Sequence, residues 1–247
     1  MRLSLMRDAG EEEIKHLIEA ARLDVEVDNL KRAGEKIHQA ISIAKKTGRE
    51  ELLKQILEFI ERFTYSGETQ LIDLSPIVTN GFILDIGGGG QGIIGKLNGR
   101  QVVAIDKNER ELKETQNEAL KVVMDATNLK FLPNSFDVCT SFFSLMYMPK
   151  KVHLKVFSEV HCVIKENGKF LLWDVEMPKR FGDYKAFMVR LKVKLPDEEL
   201  EAGYGVKLQE QNIEHFKEIA KKTMFKIVDE WKKGEIFYLE LSKKAPT

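Results

Sequence analysis

The sequence predicts an α/β protein with a doubly wound, mostly parallel sheet of seven strands that has an antiparallel end, preceded by an N-terminal helical extension. From about residue 80, short β-branched runs alternate with amphipathic helices, a pattern typical of a parallel sheet covered on both faces. A glycine-rich turn follows the first of these runs. Residues 10–64 carry apolar residues at helical spacing and contain no proline.

Residues 1–66 are expected to form a helical segment. Their apolar spacing fits three amphipathic helices. Gly48 would close the second helix, and Glu50 and Glu51 lie in the first turn of the third, where acids suit the helix dipole. Because the apolar faces of such helices must pack on something, we expect this segment to act as a cap, a lid or a dimerisation element.

Residues 67–247 are expected to form a second domain. Its parallel strands are predicted at "GFILDI", "QVVAID", "LKVVMD", "FDVCTSFF" and "KFLLWDVEM", with the helix "VHLKVFSEVHCVI" between the last two. After a helix from about Gln211 to Lys222, the runs "FKIVDEW" and "IFYLELSK" flank "KKGE", which indicates a hairpin. The sheet is therefore expected to end in antiparallel strands.

An inserted hairpin or flap is predicted at about residues 183–209. Apolar and polar residues alternate over 187–195, as in a half-buried strand, and the segment around Tyr204 can pair with it. Glycines flank Tyr204 on both sides. They suit a movable flap over a pocket and an ordinary hairpin turn equally well.

The composition excludes some classes of partner. Lys and Arg together number 39, as do Asp and Glu, so no overall field favours nucleic acid or an anionic membrane. No run approaches the roughly 18 apolar residues of a membrane span, and the N-terminus has no signal-peptide core. Cys139 and Cys162 lie in apolar stretches and are predicted to be reduced core cysteines. We expect a soluble cytoplasmic protein without a metal site.

The glycine-rich turn, "ILDIGGGGQG", lies where doubly wound sheets bind ligands, beyond the carboxyl end of a strand. Gly87, Gly89 and Gly92 match G-x-G-x-x-G, which alone suggests a dinucleotide. Asp85 argues against this, because its carboxylate would repel a pyrophosphate and favour a cation. Asp106 ends the next strand, 19 residues after Gly87 (106 minus 87), the interval at which a carboxylate can bind a ribose diol.

Four segments together carry a family resemblance. "ILDIGGGG", "VVAIDKN", "VVMDATNLKFLPNSFDVCTSFFSLMYM" and "VIKENGKFLLWDVEMP" resemble, in order and spacing, the motifs of the class I S-adenosylmethionine-dependent methyltransferases. The resemblance is close over about residues 83–178 and loose over the antiparallel end, and residues 1–64 lie outside it. It implies a Rossmann-like methyltransferase fold, an enzyme that transfers one-carbon groups, and S-adenosylmethionine as cofactor.

The resemblance also implies a role for each motif residue. Asp85 would help to hold the methionine ammonium, and Gly87 and Gly89 would let the backbone approach the cofactor. For Gly88 and Gly90, easing a tight turn is favoured over contact with the cofactor. The family frequently has a further glycine where this chain has Gln91, which leaves the contact at that point open.

On the adenosine side, the resemblance implies that Asp106 accepts hydrogen bonds from the ribose hydroxyls. Asp125 would receive the adenine amine, and the Ala126 amide would donate to a ring nitrogen. Ser141 would offer a backbone carbonyl to the amino group, with Phe142 nearby. The full predicted set of cofactor-binding residues is Asp85, Gly87, Gly88, Gly89, Asp106, Lys107, Asp125, Ala126, Ser141 and Phe142.

The acceptor is less determined by the sequence. Methyl transfer depends chiefly on placing an in-line nucleophile, and a base is needed only for a protonated acceptor. A small-molecule acceptor is predicted, while the lysine-rich segments "KVKL" and "KEIAKKTMFK" leave RNA open. Tyr147, Asp174 and Glu176 are substrate-side candidates by position, although Tyr147 as a pocket cap and the two acids as a strand-end pair facing water are favoured. His153 and His161 are expected at the surface or at an interface.

Two other functions remain open from the sequence. The literal G-x-G-x-x-G match would also suit a nicotinamide-dependent oxidoreductase, although that scheme leaves Asp85 and "MDATNL" without a role. The third reading is a non-catalytic S-adenosylmethionine-binding protein in which residues 10–64 mediate assembly, for example into a homo-oligomer.

Overall fold

The computed structural model describes residues 2–243. The helices are α1 Arg2–Glu26, α2 Leu30–Thr47, α3 Glu50–Phe63, α4 Ile93–Asn98, α5 Glu109–Glu114, α6 Lys150–Val163 and α7 Ile213–Lys222. The strands are β1 Thr64–Ser66, β2 Gln70–Asp73, β3 Ile83–Ile86, β4 Val102–Asp106, β5 Leu120–Val123, β6 Phe136–Phe142, β7 Ile164–Val175, β8 Ala186–Lys194, β9 Glu199–Lys207, β10 Phe225–Lys233 and β11 Ile236–Lys243. Short 3-10 turns occur at Gly99–Gln101 and Leu145–Tyr147.

The chain divides into two compact units. Unit 1 comprises Met1–Ser66, Lys179–Met188 and Gly205–Gln209, and unit 2 comprises Gly67–Pro178, Val189–Tyr204 and Glu210–Thr247. Met1 and residues 244–247, which the predicted domain boundaries include, lie outside the described residues. Unit 1 therefore takes in two segments of the predicted flap region, around 183–188 and 205–209, in addition to the N-terminal helices.

The three N-terminal helices of unit 1 form as predicted from the apolar spacing. The Asn29 side chain caps α2 by accepting a hydrogen bond from the Arg32 amide, and Gly48 ends that helix in the left-handed conformation, with φ of 66°. Glu50 and Glu51 occupy the first turn of α3. Two apolar clusters make the core, one of Ile14, Ala40, Ala44, Leu52 and Ile56 and one of Ala21, Val25, Ala33 and Phe59.

Unit 1 also contains a contact that the sequence did not predict. β1 pairs in parallel with Ala186, Phe187 and Met188 at the start of β8. The Tyr65 ring contacts the Phe187 ring at a centroid distance of 5.9 Å. The short strand thus connects the end of α3 to a segment more than a hundred residues later in the chain.

Unit 2 is built on the predicted seven-stranded sheet, with strand order β10-β11-β7-β6-β3-β4-β5. β5, β4, β3, β6 and β7 run parallel, while β11 runs antiparallel to β7 and β10 antiparallel to β11. The predicted doubly wound fold with an antiparallel end is confirmed. β3 lies between β4 and β6, so the strand order reverses there, which is the switch point where such sheets bind ligands.

A smaller sheet joins β8 to its neighbours. β9 pairs with β8, and β1 and β2 each pair with β8 in parallel. The predicted alternation in β8 is present, because Phe187, Val189, Leu191 and Val193 are buried while the intervening residues are not. β2, which pairs Gln70–Asp73 with residues 191–194, was not predicted from the sequence.

The two cysteines differ in burial. Cys139, in β6, is fully buried within the core of unit 2. Cys162 is exposed, so the prediction of a core position is wrong for this residue. The buried face of α6 carries Val156, Val160 and Val163, and Cys162 falls on the other side of the helix. None of the helices within residues 2–243 has the length and apolar character that a membrane crossing requires.

Candidate active site

The glycine-rich loop runs from the end of β3 to the start of α4 and is fastened to β4. The amides of Gly87 and Gly88 both donate to the Ile105 carbonyl, at 2.8 and 3.0 Å. Gly87 has φ of 73°, a conformation that side chains other than glycine rarely adopt. A Cβ at this position would also lie 2.4 Å from Cβ of Ser144. Glycine is therefore required at position 87 by the packing of the protein itself.

The next two glycines are constrained by close neighbours. A Cβ on Gly88 would lie 2.6 Å from Oδ2 of Asp85 and 2.8 Å from Cβ of Ala104. One on Gly89 would lie 2.7 Å from Cβ of Glu111. Gly88 thus does more than ease a turn, because any side chain there would collide with the strand beneath it. At Gly89, likewise, the collision is with residues of this chain.

The loop closes by local hydrogen bonds although Gln91 stands where a further glycine is frequent in the resembled family. The Gly92 amide donates to the Gly89 carbonyl at 3.3 Å, and the Thr115 hydroxyl donates to the Gly90 carbonyl at 3.0 Å. Gln91 itself is exposed. The substitution therefore leaves the turn intact.

Asp85 is an almost fully buried acid at the end of β3. Its side chain belongs to a residue that is 3% exposed, and Oδ1 accepts a hydrogen bond from the Thr140 hydroxyl at 2.7 Å. Burial raises the pKa of Asp85 to about 7, the charge of Asp106 adds to this increase, and the Thr140 hydrogen bond opposes it. A cation placed beside Asp85 would stabilise the carboxylate form.

Asp106 and Asp125 follow the next two strands and are each held by the turn behind them. Oδ1 of Asp106 accepts from the Asn108 amide at 2.8 Å. Oδ1 of Asp125 accepts from the amide and the hydroxyl of Thr127, at 2.8 and 2.7 Å, and these bonds lower the pKa of the Asp125 carboxyl. Such Asx-type turns fix where each carboxylate points.

These residues line one cavity of about 600 Å³, a volume typical of small-molecule sites. All the predicted cofactor-binding residues except Ser141 line this cavity, namely Asp85, Gly87, Gly88, Gly89, Asp106, Lys107, Asp125, Ala126 and Phe142. The cavity lies wholly within unit 2. Residues widely separated in sequence are thereby brought to the carboxyl edge of the sheet.

Ser141 is the one predicted cofactor-binding residue that does not line the cavity. It is fully buried in β6, and its Oγ lies 2.7 Å from Oγ of Ser144, whose hydroxyl donates to the Ile86 carbonyl at 2.7 Å. This chain of hydroxyls connects the ends of β6 and β3. Ser144 lines the cavity and was missed in the sequence, where nothing distinguishes it from the serine three residues earlier.

The substrate-side candidates differ in whether they line the cavity. Tyr147 lines the cavity and is 51% exposed. Asp174 is fully buried instead of facing water, because it accepts the amides of Met146 and Val175 and the side-chain amide of Gln211, at 3.2, 2.8 and 2.9 Å. Burial raises the pKa of Asp174 to about 7.

Glu176 also has structural contacts. Oε1 accepts the Ile213 amide at the start of α7 at 3.2 Å, and Oε2 pairs with Lys232. Neither Asp174 nor Glu176 lines the cavity. Both acids connect β7 to other elements of unit 2.

Several lining residues were not predicted to bind the cofactor. Glu111, from α5, and Phe143, Met148 and Val152, from the segment after β6, form part of the wall. Tyr204 completes it from β9, with its ring stacked on the Phe143 ring at a centroid distance of 5.7 Å and an interplanar angle of 10°. In the sequence, Tyr204 is marked only by its flanking glycines, because its position over Phe143 depends on tertiary structure.

One of the two histidines of α6, His153, does not have the predicted location. His153 is fully buried, and its Nε2 contacts the carbonyls of Leu145 and Met148 at 3.0 and 3.1 Å, so the expected surface location is wrong. Its Nδ1 lies 3.0 Å from Nε2 of His215. His161 is partly buried. Across residues 2–243, no group of His, Cys, Asp and Glu side chains is arranged to hold a metal ion.

Comparisons with known proteins agree with this geometry. Residues 84–172 match the sequence model of a family described as a methyltransferase domain. None of the curated proteins compared with the chain matches it in sequence. A structure of S-adenosylmethionine-dependent methyltransferases from Methanosarcina mazei superposes with a TM-score of 0.52 at 18% identity, covering 71% of this chain and 100% of the other. A protein from Pyrococcus horikoshii superposes with a TM-score of 0.50 at 18% identity, covering 67% and 83%.

The strand order, the glycine loop at the switch point and the family match define an enzyme that transfers methyl groups. Residues 84–172 match a methyltransferase domain in sequence, and the predicted resemblance to the class I S-adenosylmethionine-dependent methyltransferases is confirmed. The match lies within the range over which the four motifs were recognised.

Proposed function

We propose that this protein transfers the methyl group of S-adenosylmethionine in line to a small-molecule acceptor. One observation carries the proposal: Asp85, Asp106 and Asp125, from three neighbouring strand ends, line the same cavity. A dinucleotide site would leave Asp85 and Asp125 without a function. The three acids instead match the amine, sugar and purine parts of one cofactor.

The state of Asp85 fits this cofactor. A buried carboxyl whose pKa has risen to about 7 gains most from a cationic partner, and its Thr140 partner is neutral. The methionine ammonium would supply that positive charge. Asp85 would hold this group by a hydrogen bond or through water, while Gly87, Gly88 and Gly89 let the main chain approach it.

The adenosine part would be held by the next two strand ends. Asp106 would accept the ribose hydroxyls, with Lys107 beside it. Asp125 would accept the adenine amine and Ala126 would donate its amide to a ring nitrogen. The Ser141 carbonyl and the Phe142 ring complete the proposed set, Ser141 through its main chain because its side chain is buried against Ser144.

The bound cofactor supplies a methyl group on a positively charged sulfur. The residues of this chain hold the two reactants in line, and such placement alone supplies roughly 7–11 kcal/mol of a barrier in well-oriented systems. Phe143, Met148 and Val152 give an apolar wall that limits water beside the reacting atoms. Tyr147 caps this wall.

The charge of the cavity lining favours a small acceptor over RNA. Within the lining of the described cavity, Lys107 is the one basic side chain, whereas RNA binding requires several basic groups along a surface. We further propose that residues 1–66 act as a cap, lid or dimerisation element and that 67–247 act as the methyltransferase domain, with 183–209 as a flap. The free thiols of Cys139 and Cys162 support a reducing, cytoplasmic location.

The proposal is tested by isothermal titration with S-adenosylhomocysteine, the demethylated cofactor. The unaltered protein should bind it, and Asp106→Ala should weaken binding at least about tenfold, because a carboxylate that accepts two hydrogen bonds is lost. The matched control is Asp73→Ala, an exposed acid in β2 outside the cavity, which should bind as the unaltered protein does. Failure to bind, or tight binding of NADH in a parallel titration, would overturn the proposal.

A further inference from the structure

Part of the cavity wall is aromatic. Phe143, Tyr147 and Tyr204 line it, and the parallel stack of Tyr204 on Phe143 fixes the orientation of both rings. Phe143 holds a left-handed backbone conformation, with φ of 52°, which is rare for an aromatic residue. The structure thus maintains a strained residue at the position where the aromatic wall begins.

Acidic side chains outnumber basic ones in the lining of the same cavity. Four acids line it, Asp85, Asp106, Glu111 and Asp125, against the single basic residue Lys107, which directly follows Asp106. Asp85 would be offset by the methionine ammonium, but Asp106 and Asp125 would receive neutral hydroxyl and amine groups of the cofactor. Glu111 has no assigned cofactor partner. The loaded cavity would therefore stay acidic, and Lys107 would be the one basic side chain of its lining that an anionic acceptor could meet.

The tyrosines are suited to remain neutral in this setting. Desolvation and the nearby charge of Asp85 raise the pKa of Tyr204 above its ordinary value. A neutral phenol presents an electron-rich ring face, and such faces attract ammonium groups at a distance of about 6 Å or less from the ring centroid. Carboxylates nearby add to that attraction through longer-range charge.

From these contacts, and resting on the proposed function, we propose that the acceptor is a small amine whose ammonium form is recognised by the faces of Tyr147 and Tyr204. Molecules that present a carboxylate or a phosphate to this wall are excluded by the acids around it. In the reaction, the amine first releases one proton to water. An N–C bond then forms as the S–C bond of the donor breaks, and the positive charge passes from sulfur to the methylated amine, which the same rings stabilise.

The test uses three soluble probes that share a benzyl group and differ in charge: benzyltrimethylammonium, benzyl alcohol and phenylacetate. Each is titrated into the full-length protein saturated with S-adenosylhomocysteine. Benzyltrimethylammonium should bind at least about fivefold more tightly than benzyl alcohol, as expected for a desolvated cation on aromatic faces. Phenylacetate should bind more weakly than both. Equal binding of the three probes, or preference for phenylacetate, overturns the proposal.

Substitutions test whether the Tyr204 ring is responsible for the preference for the cationic probe. Tyr204→Phe keeps the ring face and should preserve the preference for the cation, whereas Tyr204→Leu should reduce it about fivefold. Tyr184→Leu is the matched control, because Tyr184 lies in the aromatic cluster with Tyr65 and outside the cavity lining. An equal loss in Tyr184→Leu and Tyr204→Leu would contradict the assignment.

Titration of S-adenosylhomocysteine alone separates the two proposals. If it binds and the cation is not preferred, the amine proposal fails while the methyltransferase proposal stands. If it does not bind, both fail. Retained cofactor binding by Tyr204→Leu also shows that the variant is folded, and the probe series on the unaltered protein decides the question even if that variant does not fold.

Discussion

At the scale of single residues, Asp85 shows how a ligand site conflicts with stability. Its carboxyl lies beneath the glycine loop, 3% exposed, with the Thr140 hydroxyl as its polar partner. Ionisation there is opposed by desolvation, so the pKa rises from 3.8 to about 7. The free protein at neutral pH therefore carries a carboxyl that is ready to gain a cation.

The stability of the free protein should reflect this shift. Between the ordinary pKa of 3.8 and about 7, the folded state keeps a proton on Asp85 that the unfolded chain has released. The free energy of unfolding contributed by this group therefore falls as the pH rises through that window. Asp85→Asn should be more stable than the unaltered protein at pH 8 by about 1–4 kcal/mol, and the difference should shrink toward pH 4.

Urea unfolding at several pH values, without cofactor, measures this difference. The asparagine keeps an oxygen for the Thr140 hydroxyl, so the comparison isolates the charge. The same variant should bind S-adenosylhomocysteine less tightly at pH 8, because the charge partner of the ammonium is gone. A variant no more stable than the unaltered protein at pH 8 would contradict the role of burial.

At the scale of elements, α6 and α7 meet at a pair of histidines, of which His153 is fully buried. His153 of α6 lies 3.0 Å from His215 of α7, and it also contacts the carbonyls of Leu145 and Met148 in the turn after β6. Met148 lines the cavity, so His153 connects the packing of two helices to the cavity wall. Burial lowers the pKa of His153 to about 4, and the nearby His215 and Lys150 contribute to this decrease.

The contribution of His153 to stability should change with pH in the opposite direction to that of Asp85. From 6.5 down to about 4, the unfolded chain takes up a proton at His153 that the folded protein does not. Stability from this group is therefore present above pH 6.5 and is lost as the pH falls through the window. Between pH 7 and pH 5, the free energy of unfolding of the unaltered protein should fall by about 1–2 kcal/mol more than that of His153→Gln.

The checking measurement is the change in the urea midpoint of each protein between the two pH values. His153→Gln starts from lower stability at pH 7 because the contacts of the ring are altered, so the change with pH decides the question rather than either value alone. Parallel pH curves for the two proteins would show that His153 does not set the acid response.

Helices and strands that have a local pattern of apolar and polar residues could be predicted from the sequence. Contacts between segments distant in the sequence could not. Short β-branched and apolar runs identified the strands of the main sheet, and Asp85 and Asp106 followed from their positions at the carboxyl ends of two of them. β1 and β2 are three and four residues long and form only by pairing with β8, so no local pattern marks them. Glu111 and Ser144 line the cavity because of the tertiary fold, and no local sequence pattern marks them. Cys162 and His153 were misplaced because apolar neighbours in sequence do not determine the face of a helix.

At the scale of the whole molecule, the chain crosses between its two compact units several times. Unit 1 gathers the N-terminal helices with residues 179–188 and 205–209. Removing residues 1–66 would leave Phe187 without its Tyr65 contact and the start of β8 without β1. A truncated chain is therefore a poor test of what the N-terminal helices do, and the intact protein is needed.

Hydrogen exchange on the intact chain can separate a lid from an assembly element. The lining residues of the cavity all belong to unit 2, so S-adenosylhomocysteine should protect amides around 85–92, 106–111, 124–127 and 142–149. We expect no change over residues 10–63 at a protein concentration where the oligomeric state is unchanged. Protection of those helices by the ligand would show that they close over the site, whereas protection that depends on protein concentration and not on ligand would assign them to self-association. The same experiment on Asp106→Ala, in which the weaker binding should reduce ligand protection in unit 2, provides the control.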